Sequence, residues 1–140
     1  MTKKELAQQV VDQMMENDFY SQWLGIERIE DDAGKSVLEM KVRREMLNGF
    51  GMAHGAITFA LADSALAFAC NSHGRQAVSI ETSISHTKAV QEGEVLRAYA
   101  EEESLSHKIG FYKVTIKRTN GEIVALFKGT VYRTSKNWDV

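Results

Sequence analysis

Between Glu45 and Arg75 the only Asp, Glu, Lys or Arg is Asp63, in the middle of an alanine-dominated run, residues 53–70, whose polar members are His54, Thr58, Asp63 and Ser64. Gly49 and Gly51 mark a loop over residues 46–52 before the run, and Asn71, Ser72, His73 and Gly74 are stop signals after it. Residues 53–70 therefore read as a helix that is apolar nearly all round. A surface helix shows a charged face, so a helix of this kind has to be enclosed by other structure. Its alanines and polar interruptions suit a lipid-facing span poorly, which makes it the buried helix of a globular fold.

The rest of the chain supplies the enclosure. Residues 24–42 read as two strands joined by the polar turn Asp31, Asp32, Ala33 and Gly34. In the second strand Val37, Glu39, Lys41 and Arg43 alternate with Leu38, Met40 and Val42, the period of a sheet with one wet face. Further strand-like runs occupy residues 77–85, 95–103, 111–118 and 122–133. Asn120-Gly121, flanked by Val114, Ile116 and Ile123, predicts a two-residue type I′ turn, so the last two strands should be antiparallel neighbours. The run Glu101, Glu102, Glu103 reads as the solvated end of a strand.

At the start, Thr2 and Glu5 have capping-box spacing, and Leu6, Val10, Val11, Met14 and Met15 recur at helical intervals. They predict an amphipathic brace over residues 1–18, with Phe19, Trp23 and Leu24 continuing its packing. A long apolar helix wrapped by an antiparallel sheet of five or six strands, with an extra N-terminal helix, is an α+β fold.

The 140 residues suffice for one compact domain, taken as residues 1–140, and 44% hydrophobic residues can build its core. Net charge of -2 and a pI near 6.1 offer no overall basic field for nucleic acid or an anionic membrane. Cys70 is the only cysteine, and the N-terminus lacks the apolar run of a signal peptide, so a cytoplasmic protein is expected.

A carboxylate buried without a partner is costly, so a purely structural choice at position 63 would be apolar. Asp63 is either paired with a distant base or chemically active, and the second reading is preferred. The segment Asn48, Gly49, Phe50, Gly51, Met52, Ala53, His54, Gly55 leads into the helix. Free N–H groups and the positive dipole end there suit an oxygen that gains negative charge, and glycine at 55 admits a ligand to that N–H. Gly55 and Asp63 are eight residues apart, or about 12 Å along the axis. One reacting carbonyl cannot touch both in one chain, so a site using both takes Gly55 from one subunit and Asp63 from another across a two-fold axis. A homodimer is expected.

Met46-Leu47-Asn48-Gly49, Ala53-His54-Gly55-Ala56, Leu61-Ala62-Asp63-Ser64-Ala65 and Ala69-Cys70-Asn71-Ser72-His73-Gly74 together resemble the hotdog thioesterases of phenylacetic acid degradation, within the 4-hydroxybenzoyl-CoA thioesterase superfamily. The resemblance runs from about residue 19 to residue 132. It implies a hotdog fold and hydrolysis of acyl-CoA thioesters, with aryl- or medium-chain acyl groups. By it, Asp63 is the nucleophile or general base, Gly55 the backbone oxyanion donor, and Asn48 a polar group placing water or substrate. His54 matches the His of a His-Gly pair, where shaping the turn and direct chemistry both stay open. Lys88, Ser106, Lys108 and Gly110 stand where similar enzymes contact CoA, and Phe50 where the acyl pocket could be lined. Family members often carry Arg-Pro or Lys-Pro where this chain has Lys88-Ala89. The resemblance also implies dimers that pair into a homotetramer, with coenzyme A entering only as part of the substrate. No cofactor or metal is expected.

A hotdog dehydratase motif would bring prolines near its His, and the chain has no proline. A non-catalytic acyl-CoA sensor would keep the groove without needing Asp63. Cys70 and His73 have Cys-x-x-His spacing, but no second ligand pair accompanies them. No Gly-x-Ser-x-Gly elbow occurs.

Overall fold

The computed structural model describes residues 1–140. The buried helix is α3 (Gly55–Asn71), preceded by α1 (Lys3–Asn17), α2 (Phe19–Trp23), β1 (Glu27–Asp32), β2 (Lys35–Lys41) and a 3-10 turn at Arg44–Met46. After it come β3 (Arg75–His86), β4 (Val95–Leu105), β5 (Ile109–Arg118) and β6 (Ile123–Asn137). The six strands form one antiparallel sheet in the order β1-β2-β4-β5-β6-β3. No helix is long and apolar enough to cross a membrane.

The enclosure demanded by α3 is complete on the sheet side, since the helix touches all six strands and α1 besides. Leu61, Leu66 and Phe68 are fully buried among Leu38, Met40, Leu96, Val114, Ile116 and Phe127. Each such side chain contributes about 1.5–3 kcal/mol. Helix and sheet approach so closely that a Cβ at Gly129 in β6 would lie 2.7 Å from Leu66 Cδ2. Glycine there is a condition of the packing.

The α1 cap forms as the spacing predicts, with Thr2 Oγ1 accepting from Glu5 N–H at 3.0 Å. Ala7, Val10 and Val11 are its buried face. Four local expectations need correction. Phe19 and Trp23 do not continue that packing: they lie exposed on the separate helix α2, and only Leu24 is buried. Val37 is buried on the supposedly wet face of β2, between its register partners Glu30 and Tyr99. The β5–β6 hairpin exists, but not through a type I′ turn, because no residue other than glycine has positive φ. Instead Gly121 N–H donates to Arg118 O and Arg118 N–H to Glu122 O, making a three-residue loop with Gly121 at φ 88°. Asn120 Oδ1 accepts from Glu122 N–H, the local bond that favours asparagine there.

The fourth correction concerns Glu102, which is half-buried. Its Oε1 lies 2.7 Å from His73 Nε2 and accepts from the Tyr112 hydroxyl at 2.8 Å. Burial alone would raise the Glu102 carboxyl, but these hydrogen bonds outweigh it and hold the group below the ordinary carboxylate value. Its stabilising contribution is therefore complete above the unfolded-state value, about 4.3, and is lost as pH falls through the lower folded value. Glu102→Ala strands the His73 ring and the Tyr112 hydroxyl, and should cost about 2 kcal/mol at neutral pH, read from the urea midpoint.

Candidate active site

The loop before α3 is built to present the helix start. Asn48 Oδ1 accepts from Phe50 N–H at 2.9 Å and Met52 N–H at 3.3 Å, and its own N–H donates to Met52 O at 2.8 Å. The side-chain oxygen of Asn48 is thus spent on the loop, while its Nδ2 has no partner. His54 caps the helix, Nδ1 accepting from Ala56 N–H at 3.0 Å. That bond makes Nδ1 an acceptor and ties the ring to the turn. His54 N–H and Ala53 N–H are taken by Met46 O and Val90 O. Gly55 N–H donates to nothing in the chain, so the first helical donor is left free at the positive end of α3.

Two residues that sequence reasoning missed stand against this donor. Thr58 Oγ1 lies 3.0 Å from Gly55 O and 2.6 Å from His86 Nε2. The Thr58 hydroxyl is thus shared between the Gly55 carbonyl and the His86 ring. A Cβ on Gly55 would lie 3.2 Å from His86 Cε1. Glycine at 55 therefore makes room for a histidine ring from β3 as well as baring the N–H. Thr58 was visible as the residue one turn after Gly55, but nothing local in the sequence pairs it with His86, 28 residues away.

Asn48, Gly55, Thr58, His86 and Lys88 line one cavity of about 330 Å³. Phe50 lies outside it and is 86% exposed. Ser106, Lys108 and Gly110 are at the other end of the sheet. Ile109 pairs with Tyr132 of β6, whereas His86 pairs with Ala125, a separation of roughly 23 Å along the strand. Ser106 Oγ donates to Ile109 O at 3.0 Å and accepts from Ile109 N–H at 3.2 Å, closing the β4–β5 turn. A Cβ on Gly110 would meet Tyr112, Val131 and Leu105 at 3.0–3.2 Å, so that glycine answers to packing. One chain brings together Asn48, Gly55 and Lys88, and leaves Asp63, Ser106, Lys108 and Gly110 apart from them.

Asp63 is half-buried and makes neither a hydrogen bond nor an ion pair within the chain, which removes the distant-base alternative there. Burial, and then the nearby Asp18 carboxylate, push its carboxyl above the ordinary value. Cys70 and His73 answer to different partners: burial pushes the Cys70 thiol up to about 12, and His73 is held by Glu102.

The thioesterase superfamily profile matches residues 50–125, the stretch that runs from the loop through α3 to β6. Acyl-coenzyme A thioesterase PaaI of Escherichia coli is 38% identical over 120 residues, 86% of this chain and 86% of that protein. The structure of the E. coli PaaI protein from the phenylacetic acid degradation operon superposes with a TM-score of 0.95 at 35% identity, over 97% of this chain and 99% of that one. A hypothetical thioesterase protein from Streptococcus pneumoniae, solved with coenzyme A, gives a TM-score of 0.78 at 26% identity, over 81% and 88% of the two chains. The chain belongs to the thioesterase superfamily. It is a hotdog-fold thioester hydrolase, and the α+β architecture expected from the helix and its wrapping sheet is the one found.

Proposed function

We propose that this enzyme hydrolyses acyl-CoA thioesters, with aryl- or medium-chain acyl groups, to free acid and coenzyme A in sites shared between two copies of the chain. The observation that carries the proposal is an unpartnered, half-buried carboxylate, Asp63, on the same helix as a free backbone donor, Gly55 N–H. The donor and the positive helix end polarise the thioester carbonyl. The partner's Asp63 either attacks the carbon, giving an anhydride that water then hydrolyses, or takes a proton from an attacking water; on either route the C–S bond breaks and its electron pair leaves on the thiolate. Asn48 Nδ2 is available to hold water or substrate. The acyl-coenzyme A thioesterase of Escherichia coli and the coenzyme A of the streptococcal structure support this substrate class.

The free edge of the sheet supports the dimer. β3 is twelve residues long, pairs on one side only with β6, and leaves Val78 56% and Ile80 60% exposed. A long unpaired edge is a liability that proteins cover. Antiparallel pairing of two β3 edges about a two-fold axis would set α3 against its counterpart, and would bring Ser106 and Lys108 of one copy toward Lys88 of the other, where CoA phosphates need positive charge. Exposed Val78, Phe111, Leu126 and Tyr132 offer a second surface, on which we propose that dimers pair into tetramers.

A thiol-release assay over a panel of aryl-, short-, medium- and long-chain acyl-CoAs tests the substrate class. Turnover of an aryl- or medium-chain member at kcat/KM above roughly 10⁴ M⁻¹s⁻¹ is expected. Tight binding of acyl-CoA without turnover would favour a sensor and overturn the enzymatic reading.

A further inference from the structure

Asp18 stands at the junction of α1 and α2. Its Oδ1 accepts from Ser21 N–H at 3.0 Å and its Oδ2 accepts from the Ser21 hydroxyl at 2.7 Å. Ser21 Oγ is in turn 2.8 Å from Ser64 Oγ. Since the Ser21 proton goes to Asp18, the Ser64 hydroxyl donates to Ser21. Both serines are buried, and Ser64 is the residue after Asp63 on α3. A chain of hydrogen bonds thus anchors a second carboxylate beside the turn of α3 that carries the first.

We propose that Asp18 is a positioning residue for Asp63: its negative charge, anchored through Ser21 and Ser64, sets the pH at which the acting carboxylate of the site becomes ionised. The inference rests on the reading of Asp63 as that carboxylate. Capping α2 does not by itself require an acid, because asparagine or serine caps as well. What a neutral cap would not supply is the charge, which adds to burial in pushing the Asp63 carboxyl above its ordinary value. The strands packed on α3 turn apolar side chains toward it, among them Leu38 and Met40 of β2, Leu96 and Ala98 of β4, Val114 and Ile116 of β5, and Phe127 of β6. From α1 the neighbours are Val11 and Met14. The remaining titratable groups near the helix stand at its two ends: His54 and, from β3, His86 at its start, held by Ala56 N–H and Thr58, and His73, Glu102, Tyr112 and Arg133 at its C-terminal end, about Cys70 and one another. A carboxylate with a structural duty, anchored beside the turn that carries an unpartnered one, makes the unpartnered one the stronger base.

The test is the pH profile of kcat/KM for the full-length enzyme with the best acyl-CoA of the panel. Asp18→Asn keeps an acceptor for Ser21 N–H and removes the charge. Its acid limb should move to lower pH, so that on the limb its rate relative to its own plateau exceeds the parent's by roughly two- to fivefold. Asp18→Ser, a smaller neutral cap, should move the limb the same way and serves if the asparagine variant does not fold. A limb that stays in place, or a loss of rate equal at every pH, would overturn the proposal and leave Asp18 as a helix cap. Failure of the underlying reading looks different: Asp63→Asn then keeps its rate, whatever Asp18 does.

Discussion

Asp63→Asn is expected to lower thioester hydrolysis by about 10²–10⁴-fold while the protein becomes more resistant to heat at neutral pH. The two effects have one cause. Burial and Asp18 hold the folded-state carboxyl above its ordinary value, so its contribution to stability is fully present below the unfolded-state value and is lost as pH rises through the folded one. Above the folded value the native protein carries an ionised group that would be better solvated in the unfolded chain. The amide keeps the size and removes the charge. Kinetics on the preferred acyl-CoA and a thermal melt at pH 7 and pH 4 check both halves. The gain in Tm should be confined to the higher pH, and a variant with full rate would sink the role given to Asp63.

The second large effect is a rescue. Gly55→Pro should cost roughly 10²-fold, because it deletes the one backbone donor aimed at the carbonyl oxygen. The fold should tolerate it. Gly55 N–H has no partner to lose, position 55 is the first of the helix, where proline is favoured, and His54 at φ -63° and ψ 137° is already in the conformation that a residue before proline prefers. The added ring must displace His86, whose Cε1 lies 3.2 Å from the Cβ position, by a few tenths of an ångström, and His86 is exposed enough to give. Co-refolding Gly55→Pro with Asp63→Asn then forms mixed dimers in which one of two sites draws an intact Gly55 from one copy and an intact Asp63 from the other. Equal mixing should restore about a quarter of the parent activity from two nearly inactive proteins. Sites contained within single subunits would recover nothing, and that result would refute the shared site.

Much of this was legible beforehand because it is written locally. An apolar run with no wet face must be covered, and the residues after it alternate as strands do, so helix, sheet and α+β class follow from spacing. The hairpin at Asn120-Gly121 was legible in outline, but its turn was not: the extra residue Thr119 joins the loop once the register of β5 and β6 is imposed. Phe19, Trp23 and Glu102 were misjudged for one shared reason. Whether an aromatic or an acid is covered depends on what arrives from elsewhere in the chain, and Glu102 is covered by His73 and Tyr112, 29 and 10 residues away.

The sequence by itself determined that a lone acid would ride on a sheltered helix whose glycine-rich approach bares its first donor, since charge, periodicity and capping act within a few residues. Only the tertiary structure decided that His86 closes on Gly55, that two serines tie Asp18 to the turn of α3 that carries Asp63, and that β3 is left as a free edge. Those pairings come from strand order and register, which are set by the burial of whole faces at once and leave no mark on any short stretch of chain.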